Sequence, residues 1–227
     1  MMLSMKRFVQ AGFIAALLAG GSAMAANTAA TNGKPAPTTV DTSGPSQLIE
    51  SSANILLADI DKNRDAYRKD PTGLYKTVGE TLLPNFDTAY AAQLVLGPHW
   101  RNASADQRKR FVDAFYNSLL YTYGDAMVDF TANRLKVFPT KVGDADARAT
   151  VRSEITRSNG TKVAVNYSMR KVEGTWKAWD VVIDGISYVK SYREDYGAEV
   201  QQNGLDAVIA RLEAKAAAAK SGKGKAS

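Results

Sequence analysis

Asp180 and Asp184 stand four residues apart in a segment that alternates like a β-strand, which would put both carboxylates on one face. Two carboxylates on a shared face can divide acid and base work between them. The other reading is that Asp180 meets solvent or bonds a loop, while Asp184 opens the Asp184-Gly185 turn. His99 is the only histidine, in Gly97-Pro98-His99-Trp100. It is the one base available to a Ser-His-Asp triad, or else a loop or helix-cap residue; a His-rich metal site and a two-histidine mechanism are excluded within one chain. Cysteine is absent, which excludes disulfides, thiolate-bound zinc, iron–sulfur clusters and thiol nucleophiles. There is no G-x-G-x-x-G, no G-x-x-x-x-G-K-[ST] and no G-x-S-x-G.

Few groups are left for making or breaking bonds, whereas apolar side chains are in surplus. Trp179, Val181 and Ile183 are expected on one face of a strand, with Ala178 and Val182 on the other. Phe111, Phe115, Leu119 and Tyr123 follow in steps of four, with Val112, Leu120 and Tyr121 beside them. The ten tyrosines suit a pocket rim, since each pairs an apolar ring with a polar tip. Such a surplus either fills a core or lines a space that an apolar ligand completes. The overall balance of 45% apolar, 23% charged and 9% aromatic residues rules out a wholly disordered, collagen-like or polytopic membrane chain.

The elements that must position these residues come in two blocks. Helical periodicity covers residues 46–69, 72–83 and 85–96, punctuated by Asp70-Pro71, Pro84 and Gly97-Pro98. The capping box Ser104-Ala105-Asp106-Gln107 opens a helix to about residue 130. The period then falls to two over 134–140, 147–158, 161–172 and 175–183, with turns at Asn159-Gly160, Glu173-Gly174 and Asp184-Gly185. Residues 186–192 either extend the sheet or lead into a helix, and 205–219 form a last helix. Helices followed by an antiparallel meander predict an α+β fold: N-terminal helices on a curved sheet of four to five strands, an NTF2-like or cystatin-like cone with a C-terminal helix and an internal apolar cavity. A cone with one buried Asp and a Tyr is also the layout of ketosteroid-isomerase-like enzymes, so an enzyme is the rival reading of Asp180. A ligand-free periplasmic adaptor is a third.

The ends carry an address and most of the charge. Lys6 and Arg7, an apolar run from Phe8 to Ala19 and the A-x-A site Ala23-Met24-Ala25 predict a secretory signal peptide, residues 1–25, cleaved after Ala25. The expected destination is the bacterial periplasm. Residues 26–45 read as a disordered Ala/Thr/Pro linker, 46–212 as the folded domain and 213–227 as a flexible Ala/Lys-rich tail. The whole chain is +6. Without the leader it holds 27 basic and 23 acidic residues, and most of that excess lies in the tail. The folded segment is nearly neutral, which argues against a nucleic-acid binder.

Short motifs recur in a telling order: Leu82-Leu83-Pro84, Ala89-Tyr90-Ala91, Leu94-Val95-Leu96-Gly97, Ala103-Ser104-Ala105-Asp106-Gln107-Arg108 and Tyr123-Gly124-Asp125-Ala126. The second half continues with Arg170-Lys171, Gly174-Thr175-Trp176-Lys177-Ala178-Trp179-Asp180, Asp184-Gly185-Ile186-Ser187 and Asn203-Gly204-Leu205-Asp206. Together they resemble the MlaC family, also called toluene-tolerance or periplasmic phospholipid-binding proteins of the Mla system, over about residues 46–212. The resemblance implies a soluble, non-enzymatic carrier with no cofactor and no metal, whose cargo is a glycerophospholipid with both acyl tails enclosed. It implies exchange with an outer-membrane MlaA–porin complex and with MlaD on an inner-membrane ABC transporter, in upkeep of outer-membrane lipid asymmetry. A relative of the family accompanies hopanoid synthesis, so a polycyclic lipid is the alternative cargo. The linker and the Lys/Ala tail depart from what the family requires. The chain is expected to act as a monomer.

Strand parity and helix face assign the lining of the cavity. Tyr90, Leu94, Phe111, Phe115, Leu119 and Tyr123 come from helices. Val151, Ile155, Val165, Tyr167, Met169, Trp179, Val181, Ile183 and Ile186 come from the sheet. Ile186 is expected at the mouth or wall, where Ile186→Glu would bury an unpaired carboxylate against hydrocarbon. Arg152, Arg170 and Lys171 are head-group candidates or solvated surface charges.

Overall fold

The structure is a computed structural model, and it describes residues 37–129, 134–157 and 159–220. The expected signal peptide, most of the expected linker and residues 221–227 lie outside the described residues.

Pro45 stands in the first turn of α1 (Pro45–Lys69), where its missing N–H would have had no helical partner. Arg68 and Lys69 complement the negative end of that helix, and Asp70, held extended before Pro71, ends it. Leu48, Ile49, Leu56, Leu57 and Ile60 form its buried face. α2 (Thr72–Thr81) and a single 3-10 turn, Leu83–Asn85, follow. The helix expected over 85–96 starts later, as α3 (Thr88–Leu96). Phe86 is instead extended and bridges to Ala178, and the Asp87 N–H bonds the Ala178 carbonyl at 2.7 Å. Asp87 then caps α3, accepting from the Tyr90 N–H at 3.1 Å. This seats α3 against the strand that carries Ala178.

After the short α4 (His99–Asn102) comes α5 (Ala105–Met127). Its capping box is formed: Ser104 N–H donates to Gln107 Oε1 at 2.9 Å, and Gln107 N–H donates to Ser104 Oγ at 3.1 Å. Five strands then form one antiparallel sheet in sequence order: β1 (Leu135–Val137), β2 (Arg148–Thr156), β3 (Lys162–Val172), β4 (Thr175–Ile183) and β5 (Ile186–Ser187). The last two hairpins turn on Glu173-Gly174 and Asp184-Gly185, all four residues at positive φ.

Ile186 and Ser187 pair for only two residues, and the chain becomes α6 (Tyr188–Asn203). Ser187 caps it, accepting from the Lys190 N–H at 3.1 Å. Gly204, at φ 82°, separates α6 from α7 (Leu205–Lys220). α7 packs on α5, and Arg110 grips Glu213 with two bonds of 3.0 and 2.9 Å. Glu213 was expected to open the tail; in the structure the helix continues past it to Lys220. The architecture is therefore α+β, helices packed on an open five-stranded antiparallel sheet.

Candidate functional site

Strand register decides which side chains share a wall. Cross-strand neighbours form rows: Ala149, Met169 and Ala178; Val151, Tyr167 and Val181; Ser153, Val165 and Ile183; Ile155 and Val163. Ile186 pairs with Ile183 and extends the third row. Seven of the nine sheet residues expected on one face are thus brought together, with Ile186 at their edge. Trp179 is the exception. The β3–β4 register shifts between Ser168 and Met169, so Ser168 faces Asp180 while Met169 faces Ala178. One extra residue in β4 reverses the parity across this bulge. Ala178 therefore joins the row of Met169, opposite to the expectation. Trp179 meets Tyr90 of α3 edge to face, with ring centroids 5.6 Å apart.

Among the described residues, most of the buried apolar side chains gather in three groups, with partly buried Phe86 packed against both the first and the third. The first joins α3, α5, α6 and α7 through residues such as Val95, Phe111, Phe115 and Ile209. The second joins α1, α2 and α5 through Leu56, Ile60, Leu74, Val78 and Leu120. The third joins α1 to the sheet through Leu48, Val151, Met169 and Trp176. Large side chains remain partly uncovered around these groups: Leu94, Leu119, Trp179, Tyr192 and Tyr167. Ile155, Val181 and Ile183 are also only partly covered.

The expected lining residues therefore separate. Phe111, Val151 and Met169 are at most 1% exposed, and Phe115 and Val165 are buried, so neighbours already enclose them. Tyr90, Leu94, Leu119, Tyr123, Ile155, Tyr167, Trp179, Val181 and Ile183 keep open surface. Ile186 is 61% exposed. A glutamate there would stay hydrated, so the burial penalty expected for Ile186→Glu does not apply.

Residues outside the expected set add to the aromatic cluster on α5. Tyr188, Tyr192 and Tyr196 recur every four residues along α6 and meet α5: Tyr192 is 5.3 Å from Phe115 and Tyr196 is 6.0 Å from Phe111, each edge to face. The four-residue spacing was visible, but only once the segment is read as a helix. The Tyr123 and Tyr192 hydroxyls meet at 3.0 Å. Burial pushes several phenols up. Tyr167 is raised although part of it is uncovered, with the Ser153 hydroxyl pulling it slightly back. Tyr188 and Tyr192 are raised by burial, aided by Tyr123. Tyr116 and Tyr196 are each pushed up to about 12, mainly by burial.

These phenols give a pH dependence. Unfolded tyrosines ionise near 10, before the folded Tyr116 and Tyr196, so above that pH the unfolded chain holds fewer protons. Their contribution to stability is intact below about pH 10 and is lost as pH rises towards 12. The urea midpoint should fall over this window while tyrosinate absorbance rises with unfolding. Full ionisation near pH 10 with an unchanged midpoint would contradict these burial assignments.

The two aspartates have different tasks. Asp180 is 4% exposed and accepts from the Ser187 hydroxyl at 2.6 Å and the Val189 N–H at 3.0 Å. It thus gathers the start of α6. Asp184 sits at φ 48° in its turn, and its Oδ1 accepts from the Ala164 N–H at 3.2 Å. His99 opens α4. Of the head-group candidates, Arg170 stacks on Tyr90 at 4.2 Å and lies 3.5 Å from Asp87. Lys171 donates to the Asp144 carbonyl at 3.0 Å, and Arg152 is exposed. Among the described residues, no three His, Asp or Glu side chains gather to hold a metal ion, and no helix is long and apolar enough to cross a membrane.

Comparison with known proteins places this arrangement among relatives. Residues 50–214 match a family model described as MlaC protein. The toluene tolerance protein ttg2D of Pseudomonas putida is 29% identical over 169 residues, covering 74% of this chain and 78% of that protein. The intermembrane phospholipid transport system binding protein MlaC of Haemophilus influenzae is 25% identical over 182 residues, covering 79% and 85%. A solved structure of a phospholipid-binding protein from Ralstonia solanacearum, in complex with a phospholipid, shares the fold. Its TM-score is 0.67 at 22% identity, over 75% of this chain and 96% of that one.

Proposed function

Since this chain belongs to the MlaC family, we propose that it is a periplasmic carrier that encloses the acyl tails of a glycerophospholipid and shuttles it between the outer and inner membranes. The observation that carries this reading is the set of large apolar residues left partly open around the three buried groups. Tyr167 supports it: burial raises its phenol, and its ring, in the cross-strand row of Val151 and Val181, is only partly covered. Val181 and Ile183 on the sheet and Leu94 and Leu119 on the helices form the walls, and Ile186 lies at the mouth.

Magnitudes set what such a carrier must do. Each methylene exposed to water costs about 0.8 kcal/mol. Two tails of about fifteen methylenes each come to roughly 24 kcal/mol gross. The interior must nearly match the bilayer for loading to occur, and must not greatly exceed it, or unloading fails. No covalent step is required, and Asp180 is engaged in holding α6. A near-balanced exchange stores no drive, so direction comes from a partner. In this reading the partners are MlaD on the inner-membrane transporter and the outer-membrane MlaA–porin complex, the outcome is outer-membrane lipid asymmetry, and the leader peptide takes the protein to the periplasm.

Vesicles containing a fluorescent phospholipid test the proposal. The mature chain should lift labelled lipid off them in proportion to protein added, chemically unchanged, and the folded Asp180→Asn variant should do so equally. Lipid that stays on the vesicles, or that wild type alters and the variant does not, would refute the carrier reading.

A further inference from the structure

The strand register gives the sheet two unlike faces. One holds Val151 and Met169, buried with Leu48 of α1. The other gathers Lys136 of β1, Arg148 and Arg152 of β2, Lys162 and Arg170 of β3, and Lys177 of β4. Arg148, Arg170 and Lys177 stand directly opposite one another across three strands, a placement in which like charges repel. On this face β2 and β3 offer one carboxylate, Glu154, which lies 3.0 Å from Lys162. Asp87 of α3 answers Arg170 at 3.5 Å, and Asp180 of β4 is enclosed and engaged at the start of α6. Among the described residues, Lys136, Arg148, Arg152 and Lys177 have no ion pair.

The folded segment is nearly neutral as a whole, so this face is a local excess of positive charge. Lys136, Arg148, Arg152 and Lys162 are exposed. Between the cations stand Thr150, Ala164, Asn166 and Ser168. A protein partner is held mainly by aromatic or aliphatic anchors at a buried centre, and β2 and β3 present none on this face. An anionic bilayer needs no such anchor. Its field attracts each nearby Lys or Arg, by about fivefold in affinity per charge. The charges and the small polar residues between them therefore favour a lipid surface.

We infer that this basic sheet face docks the protein on a bilayer rich in anionic phospholipid. It lies on the side of the sheet away from Val151 and Val181, so it does not draw on the walls assigned to the acyl tails and goes beyond the carrier reading. Docking of this kind is reversible and screened by salt, which suits a protein that must leave a membrane as well as reach it.

Flotation of the mature chain with vesicles reads docking directly, whether or not the interior takes up a tail. Wild type should float with vesicles of mixed phosphatidylglycerol and phosphatidylcholine, and not with phosphatidylcholine alone. Binding should vanish at about 1 M salt, where the screening length is about 3 Å. Arg148→Glu with Arg152→Glu should weaken binding by about 25-fold or more. This pair should melt no lower than wild type, since the change at Arg148 turns a repulsion with Arg170 into an attraction. Arg152→Glu alone, opposite Asn166, should cost about fivefold or more and gives a second reading of the same face. Lys62→Glu with Lys220→Glu makes the same change in net charge at exposed positions on α1 and α7, and should cost less than about threefold. Equal losses in the two reversed pairs, or equal binding to both kinds of vesicle, overturns the inference. So does a wild type that stays off anionic vesicles, which would leave this face to an acidic protein.

Discussion

Val181→Trp should empty the protein of lipid without unfolding it. Val181 shares a cross-strand row with Tyr167 and Val151. The row is unevenly covered: Val151 has no exposed surface, whereas Val181 and Tyr167 are partly open. In a filled core, a large residue forced into the place of a small one costs about 1–3 kcal/mol. Against a hollow, the added ring gains contacts instead, and the melting temperature of the lipid-free protein holds or rises. The indole would occupy space meant for a tail, so lipid recovered per protein should drop by about tenfold, or roughly 1.4 kcal/mol of affinity. Val151→Trp is the control in the same row and should lose about 1–3 kcal/mol of stability or more. Equal destabilisation by the two substitutions would mean that the sheet face is solidly packed.

Asp180→Ala should be the most damaging small substitution for stability. Its carboxylate is enclosed and holds two donors at the start of α6, the Ser187 hydroxyl and the Val189 N–H. Bonds to a charged acceptor contribute about 1.5–3 kcal/mol, and the stranded N–H of Val189 adds its own desolvation penalty. A loss of about 3–4 kcal/mol is expected, which lowers the melting temperature by roughly 6–15 °C in a domain of this size. Asp180→Asn keeps an acceptor and should fall between the two. Lipid content per folded molecule should be unaffected in both variants. Undiminished stability together with loss of a chemical turnover would instead support an isomerase-like role for this carboxylate.

Much of this architecture was legible in the residues, and the exceptions have physical causes. The capping box at Ser104, the Asp184-Gly185 turn and the order of helices and strands follow from local chemistry and sit where expected. The β4 bulge does not, because Trp179-Asp180 carries no residue type that marks an inserted position. Parity therefore placed Trp179 beside Val181, when the register sends it to Tyr90. The helix after Ser187 was obscured because a two-residue strand and a cap occupy the same few residues. Its start is fixed by Asp180, from the preceding strand, and no local signal contains that contact. Of the expected wall, periodicity identified which residues are apolar and share a face. It could not separate Phe111 and Val151, which neighbours enclose, from Leu119 and Val181, which they do not. That distinction depends on how helices and sheet pack around the three buried groups.

The central claim is that a diacyl glycerophospholipid completes the interior of this protein. Mass spectrometry of a solvent extract from gently purified, exported chain addresses it most directly. The account predicts diacyl glycerophospholipid in molar amounts comparable to the protein, and its loss from the Val181→Trp preparation. An extract free of diacyl lipid, or one dominated by a polycyclic lipid, would contradict it.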